Sequence, residues 1–204
     1  MTPLRTLSAT ALLSLAALLA ACEDPASQPV VGVENRLPDL KFSLQTAHGQ
    51  TITQEDMKGK IPLVFFGYAN CPDICPTTMA RLAQVTETLG EDARDVRILF
   101  ISVDPHRDTP ELLEKYVKAF DNEHAIGLSG NPGQIEALAR RYRVSYQILK
   151  PADPDSKNYD VSHSKGVFVF DREGAVSLLV TDLDAPGSAD ALAASLRTLV
   201  ARDS

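Results

Sequence analysis

Two apolar runs constrain this chain more than anything else in it: I-P-L-V-F-F-G, Ile61 to Gly67, and V-R-I-L-F-I-S-V, Val96 to Val103. Each is too short for a typical helix and rich in strand-forming residues, so each predicts a strand buried on both faces. Between them a helix is predicted from Pro76, where proline suits the first helical position. Met79, Leu82, Ala83, Thr86 and Leu89 then keep a three-or-four spacing until Gly90 stops it.

The same logic extends along the chain. F-S-L-Q-T, A-H-G-Q and T-I predict a small hairpin with His48 at its tip, and a short helix follows from Thr53 to a stop at Gly59. Thr109 caps a helix with Pro110 first and Leu112, Leu113, Tyr116, Val117 and Phe120 inward. Ala125 to Leu128 suits a short strand, and Pro132 to Arg143 a helix with Ile135, Leu138, Ala139 and Tyr142 inward. After a polar loop, Lys150 to Asn158, the segments G-V-F-V-F, D-R-E-G and A-V-S-L-L-V form a hairpin, and a last helix spans Ser188 to Ala201. Alternating strands and helices that end in a hairpin and a helix give an α/β domain, a central mixed sheet covered on both sides.

Ahead of this domain, an apolar stretch from Leu7 to Ala21 follows a single positive charge at Arg5, as in an export signal. It ends in L-A-A-C, Leu19 to Cys22, which resembles the bacterial lipobox, so residues 1–21 are expected to be removed and Cys22 lipidated. An ordinary signal peptide or an uncleaved anchor is the alternative. Residues 22–38 are polar and without a period, and are expected to be a flexible tether that lifts a domain spanning 39–204 off the membrane. The expected location is the cell membrane, facing the periplasm or another extracytoplasmic, oxidising space. Loss of Arg5 takes the formal charge from -7 to -8, a balance that disfavours nucleic acid as a partner.

The remaining length, roughly 180 residues, buries enough core to fold without covalent staples. Yet two cysteines remain, in G-Y-A-N-C-P-D-I-C-P, directly between the first buried strand and its helix. A helix N-terminus stabilises anions, so thiols there can have pKa values lowered to about 3.5 to 7.5. The element order is similar to the thioredoxin fold in its peroxiredoxin-like branch, with an N-terminal hairpin extension, and that fold carries its reactive cysteines at this place. Three chemistries remain open: an inert disulfide, thiol-disulfide exchange and metal binding. The spacing of three residues instead of two, and S-H-S-K-G where thioredoxin-type enzymes carry a cis-proline, weigh against exchange.

Two thiolates and an imidazole suit Cu(I), and accept Cu(II) with an added oxygen ligand. Zinc is the alternative, but a structural zinc site normally takes four protein ligands and no fourth candidate is evident nearby in the sequence. Of the histidines, His48, His106 and His124 fall on turns or loops, whereas the fold brings His163 beside the cysteine loop. Met79, one helical turn past Cys75, has a thioether but sits on the apolar face. Asp73 is a turn residue after Pro72, and Asp104, Arg107 and Asp108 form either a salt-bridged loop supporting the site or a solvated turn.

C-P-D-I-C-P after F-F-G-Y, S-V-D-P-H-R-D-T-P some way on, and Y-D-V-S-H-S before a strand together resemble the SCO (SenC/PrrC-type) copper proteins, over Leu37 to Val200. The resemblance implies one copper ion per chain, Cu(I) or Cu(II), on Cys71, Cys75 and His163. It implies membrane anchoring and a part in assembling the dinuclear copper site of cytochrome c oxidase subunit II, as copper donor, as reductant of that subunit's cysteines, or both. An upstream copper donor and a thiol reductant are implied partners. The rival expectations are an extracytoplasmic thiol-disulfide oxidoreductase, with Cys71 and Cys75 as its redox-active pair, and a copper or redox sensor.

Overall fold

The computed structural model describes residues 29–149 and 159–202. The export segment, Cys22 with the start of the tether as far as residue 28, the polar loop at 150–158 and the last two residues lie outside the described residues. In chain order the elements are β1 (Val30–Gly32), β2 (Ser43–Gln45), β3 (Thr51–Thr53), a 3-10 turn (Gln54–Met57), β4 (Ile61–Gly67), α1 (Ile74–Leu89), a second 3-10 turn (Gly90–Asp95), β5 (Val96–Ser102) and α2 (Pro110–Lys118). Then come β6 (Ala125–Leu128), α3 (Pro132–Arg141), β7 (Tyr146–Leu149), β8 (Asp160–His163), β9 (Val167–Phe170), β10 (Val176–Val180) and α4 (Ser188–Arg202).

Six strands form one mixed sheet in the order β1-β10-β9-β4-β5-β6. β4 and β5 are its centre: they pair in parallel from Ile61↔Val96 to Gly67↔Ser102. Every residue of β4 is buried. β6 continues the parallel half, while β9 runs antiparallel to β4 on its other side. The sheet is covered on both faces, as the two apolar runs require, since a strand exposed on one face would alternate polar and apolar residues. α1 and α4 pack against each other, and α2 packs on β6.

Four differences from the sequence reading have physical causes. Val30–Gly32, assigned to the tether, pairs antiparallel with β10 and completes the sheet edge, and Val33 behind it is buried. Three residues of strand directly after Pro29 and ending in a glycine carry too little pattern to stand out from a linker. α1 begins at Ile74, not Pro76. Proline is tolerated at this third helical position because the first four helical N–H groups have no partner within the helix. Leu112, expected inward, is 39% exposed, because α2 buries a narrow stripe of Leu113 and Val117 against an edge strand. Finally, β7 and β8 form a separate two-stranded sheet that pairs Tyr146 with His163.

Candidate metal centre

The cysteine loop leaves the end of β4 at Gly67. A Cβ on Gly67 would stand 2.8 Å from Cys75 Sγ and 2.9 Å from Phe100 Cε2, so only glycine lets the strand pass this close to the sulfur. The loop closes on itself where the Cys71 N–H donates to the Tyr68 carbonyl at 3.2 Å. The Cys75 N–H, in the first turn of α1, points to Cys71 Sγ at 3.4 Å. The first turn of a helix thus faces the Cys71 sulfur. Cys75 is fully buried and Cys71 partly exposed, and both are free thiols.

His163 ends β8, and its Nε2 lies 3.2 Å from Cys75 Sγ. Its Nδ1 is 2.9 Å from the Ser164 carbonyl oxygen, which can only accept, so Nδ1 carries the proton. The lone pair of Nε2 is therefore turned to the sulfurs, the tautomer a metal-binding imidazole needs. Phe65 and Tyr68 stand edge-on to the imidazole, at centroid distances of 6.0 and 5.8 Å. Burial between them pushes the His163 pKa below the ordinary histidine value, which keeps the ring neutral at pH 7. The three ligand atoms lie within 4.8 Å of one another, and among the described residues no other trio of His, Cys, Asp or Glu side chains is so arranged.

Burial pushes the Cys75 thiol up, against the lowering that its place at the helix start suggested, with further opposition from Cys71. The helix end acts on a sulfur that sits in the core, and desolvation of the thiolate outweighs it. A bound cation reverses this balance, since a coordinating thiol is deprotonated outright, so loading the site releases a proton.

The remaining histidines stand apart from this trio. His48 is exposed on the hairpin turn, near Glu114; His106 is exposed; His124 is held by Asp121. Met79 is buried in the core, and Asp73 precedes α1 without a side-chain capping bond. The Asp104, Arg107 and Asp108 loop is not a solvated turn: both aspartates are buried, and Asp108 Oδ2 accepts from the Ala69 N–H, at 3.0 Å, inside the cysteine loop. Burial pushes the Asp108 pKa up. Among the described residues no peptide bond is cis. The segment ahead of β9 therefore presents an imidazole to the sulfurs where a thioredoxin-type enzyme presents a cis-proline. Gly67, Tyr68 and Tyr159 complete the surroundings. They lie within the motifs F-F-G-Y and Y-D-V-S-H-S, but the sequence assigns them no role of their own, because tyrosine and glycine beside a strand carry no chemical signal by themselves.

Two soft sulfurs and one neutral nitrogen, with no fourth donor in the group, fit a soft ion of low coordination number better than zinc. The family model described as SCO1/SenC matches residues 34–201. The SCO2-like protein RP587 of Rickettsia prowazekii is 35% identical over 133 residues, covering 65% of this chain and 64% of that protein. Protein SenC of Rhodobacter capsulatus is 40% identical over 130 residues, covering 64% of this chain and 57% of SenC. The chain thus spans less than two thirds of the length of these curated relatives. Among solved structures, Bradyrhizobium japonicum ScoI with copper bound superposes with a TM-score of 0.69 at 35% identity, covering 79% of this chain and 98% of that one. The thioredoxin-like α/β architecture, the converging thiols and imidazole, and a family match across most of its length agree: the chain belongs to the SCO1/SenC family.

Proposed function

We propose that this protein binds one copper ion through Cys71, Cys75 and His163 and hands it to the dinuclear copper site of cytochrome c oxidase subunit II during assembly. The observation that carries the reading is the 3.2 Å approach of the His163 imidazole to Cys75 Sγ with the proton held on the far nitrogen. Copper bound in ScoI supports the choice of ion. Two thiolates and an imidazole serve Cu(I) as they stand, and Cu(II) with an added oxygen ligand.

The cargo leaves by ligand exchange. Cys71 and His163 are partly exposed while Cys75 is buried, so an incoming thiolate of the recipient reaches the ion from the open side of the trio while Cys75 holds it from within. The same pair supports a second role, reduction of the recipient's cysteines. The Cys71 thiolate attacks the recipient disulfide and releases one recipient thiolate. Cys75 then displaces the other, leaving a Cys71–Cys75 disulfide and a recipient reduced by two electrons. A thiol reductant must restore the pair before it can bind metal, because a disulfide supplies no thiolate. An upstream donor supplies the copper.

Anchoring through a lipid on Cys22 would hold this chemistry at the outer face of the cell membrane, beside the oxidase. Among the described residues no helix is long and apolar enough to cross a membrane. Incorporation of labelled fatty acid by the full chain, and its loss in Cys22→Ser, tests the anchor.

The central test uses the reduced domain loaded with Cu(I) and mixed with apo subunit II domain. Copper should move to the recipient, and His163→Ala should lose its copper to a competing chelator while still reducing disulfides. Full copper retention in that variant would remove His163 from the site and leave a thiol-disulfide oxidoreductase as the better reading.

A further inference from the structure

The ligands of the proposed site come from two separate bodies. The sulfurs belong to the loop between β4 and α1, while His163 ends β8, in a two-stranded sheet apart from the main one. A third element touches both. From the loop after β5, Asp108 Oδ2 accepts from the Ala69 N–H at 3.0 Å and from Ser102 Oγ at 2.7 Å, so it holds the cysteine loop.

Asp104 and Arg107, in the same loop, hold the other body through Tyr159, the residue directly ahead of β8. The Tyr159 hydroxyl donates to Asp104 Oδ1 at 2.7 Å. Its carbonyl accepts from Arg107 Nη1 at 2.7 Å, and its ring lies under the guanidinium, 3.7 Å from Cζ. Arg107 in turn donates through Nε to Asp104 Oδ2, and its Cζ lies 5.6 Å from the Tyr68 ring centre. Tyr68 is the ring that stands edge-on to His163.

We propose that Asp104, Arg107 and Tyr159 form a latch whose role is to position His163 against the sulfurs. Hydroxyl, ring and carbonyl of one residue are gripped at once, which fixes the start of a strand of four residues that ends at the ligand. Stability alone is a poor reason for such a device, since a fully buried carboxylate with a guanidinium is often no more stabilising than an apolar pair of the same volume. Geometry is what a planar, multiply bonded pair supplies and an apolar contact does not. The inference rests on the reading that His163 is the third copper donor, and the test separates the two.

Tyr159→Phe keeps the ring and removes only the hydroxyl; Arg107→Lys keeps the charge and removes the planar stack. In the metal-free reduced protein, nuclear Overhauser contacts between His163 and the rings of Phe65 and Tyr68 should weaken in both variants. With copper, retention against a chelator should fall about 10- to 100-fold, as for other residues that orient a metal ligand. In a His163→Ala background the same substitutions should cost nothing further, because the latch acts through a ligand that is gone. Intact His163 contacts, or an equal loss of copper in both backgrounds, would overturn the latch. Full retention by His163→Ala alone defeats the ligand reading, and the metal-free contacts still decide the latch. If Tyr159→Phe fails to fold, Arg107→Lys carries the same comparison.

Discussion

Nε2 of His163 stands 3.2 Å from Sγ of Cys75, although 88 residues separate the two in the chain. The donor that completes the site is thus carried by a strand outside the main sheet, and the sulfur it meets is buried at the first turn of a helix. This combination has measurable consequences.

Gly67 is where the central strand passes the site. In Gly67→Ala the new methyl has to displace Cys75 Sγ or the Phe100 ring, both under 3.0 Å from it. Overpacking of this kind costs about 1–3 kcal/mol. Urea unfolding should show that loss, and copper retention should fall with it because the displaced sulfur is a ligand. Retention and stability both at the parent level would mean that the loop gives way freely.

The buried Cys75 thiol makes the reduced, metal-free protein sensitive to alkali. Its folded pKa is raised, so the folded state keeps a proton that the unfolded chain releases near pH 8.5. Stability is fully present below that pH and falls above it, with a slope approaching about 1.4 kcal/mol per pH unit. Denaturation followed from pH 7 to 10 should show the decline, and Cys75→Ala should lack this component. The partly exposed Cys71 should alkylate well before the buried Cys75 in the same material.

His163 titrates with the opposite sign. Its folded pKa is lowered, so its contribution to stability is present above the unfolded value near pH 6.5 and is lost as pH falls through the folded value. Nitrogen chemical shifts of the ring should place its midpoint below that of a model histidine. A midpoint at or above the model value would show that the ring is not held between Phe65 and Tyr68.

Asp95 offers a control far from copper chemistry. It accepts from Lys60 Nζ at 2.9 Å and Arg172 Nη1 at 2.8 Å, and these bonds, Lys60 foremost, lower its pKa to about 2. Stability from this carboxylate is present above its unfolded pKa and is lost as pH falls through about 2. Asp95→Asn should cost about 1 kcal/mol at pH 7, given its partial exposure, and progressively less as pH falls towards and through about 2. Copper retention should not change.

Much of the fold was legible because its elements are patterned locally. The run at Ile61–Gly67 marked the central strand to the residue, and Thr109 followed by Pro110 marked the start of α2. Both signals are written within a few residues of the structure they specify. The edge strand at Val30–Gly32 was not legible, since its only claim to be a strand is the partner it finds at Leu178–Val180. The site divides in the same way. Cys71 and Cys75, with three residues between them at the mouth of a helix, signal reactive chemistry within one short stretch of chain, whereas the grip on Tyr159 joins residues more than fifty positions apart.

By itself, then, the sequence determined the α/β order, the buried central strands and the place of both thiols, because hydrophobic period and helix ends act over a turn or a strand. Only the tertiary structure decided that Cys75 is protonated by burial, that His163 offers Nε2 and holds its proton on Nδ1, and that Tyr159 is gripped by Asp104 and Arg107. Desolvation, tautomer and latch each depend on groups brought together from distant parts of the chain, and no local pattern records which of them will meet.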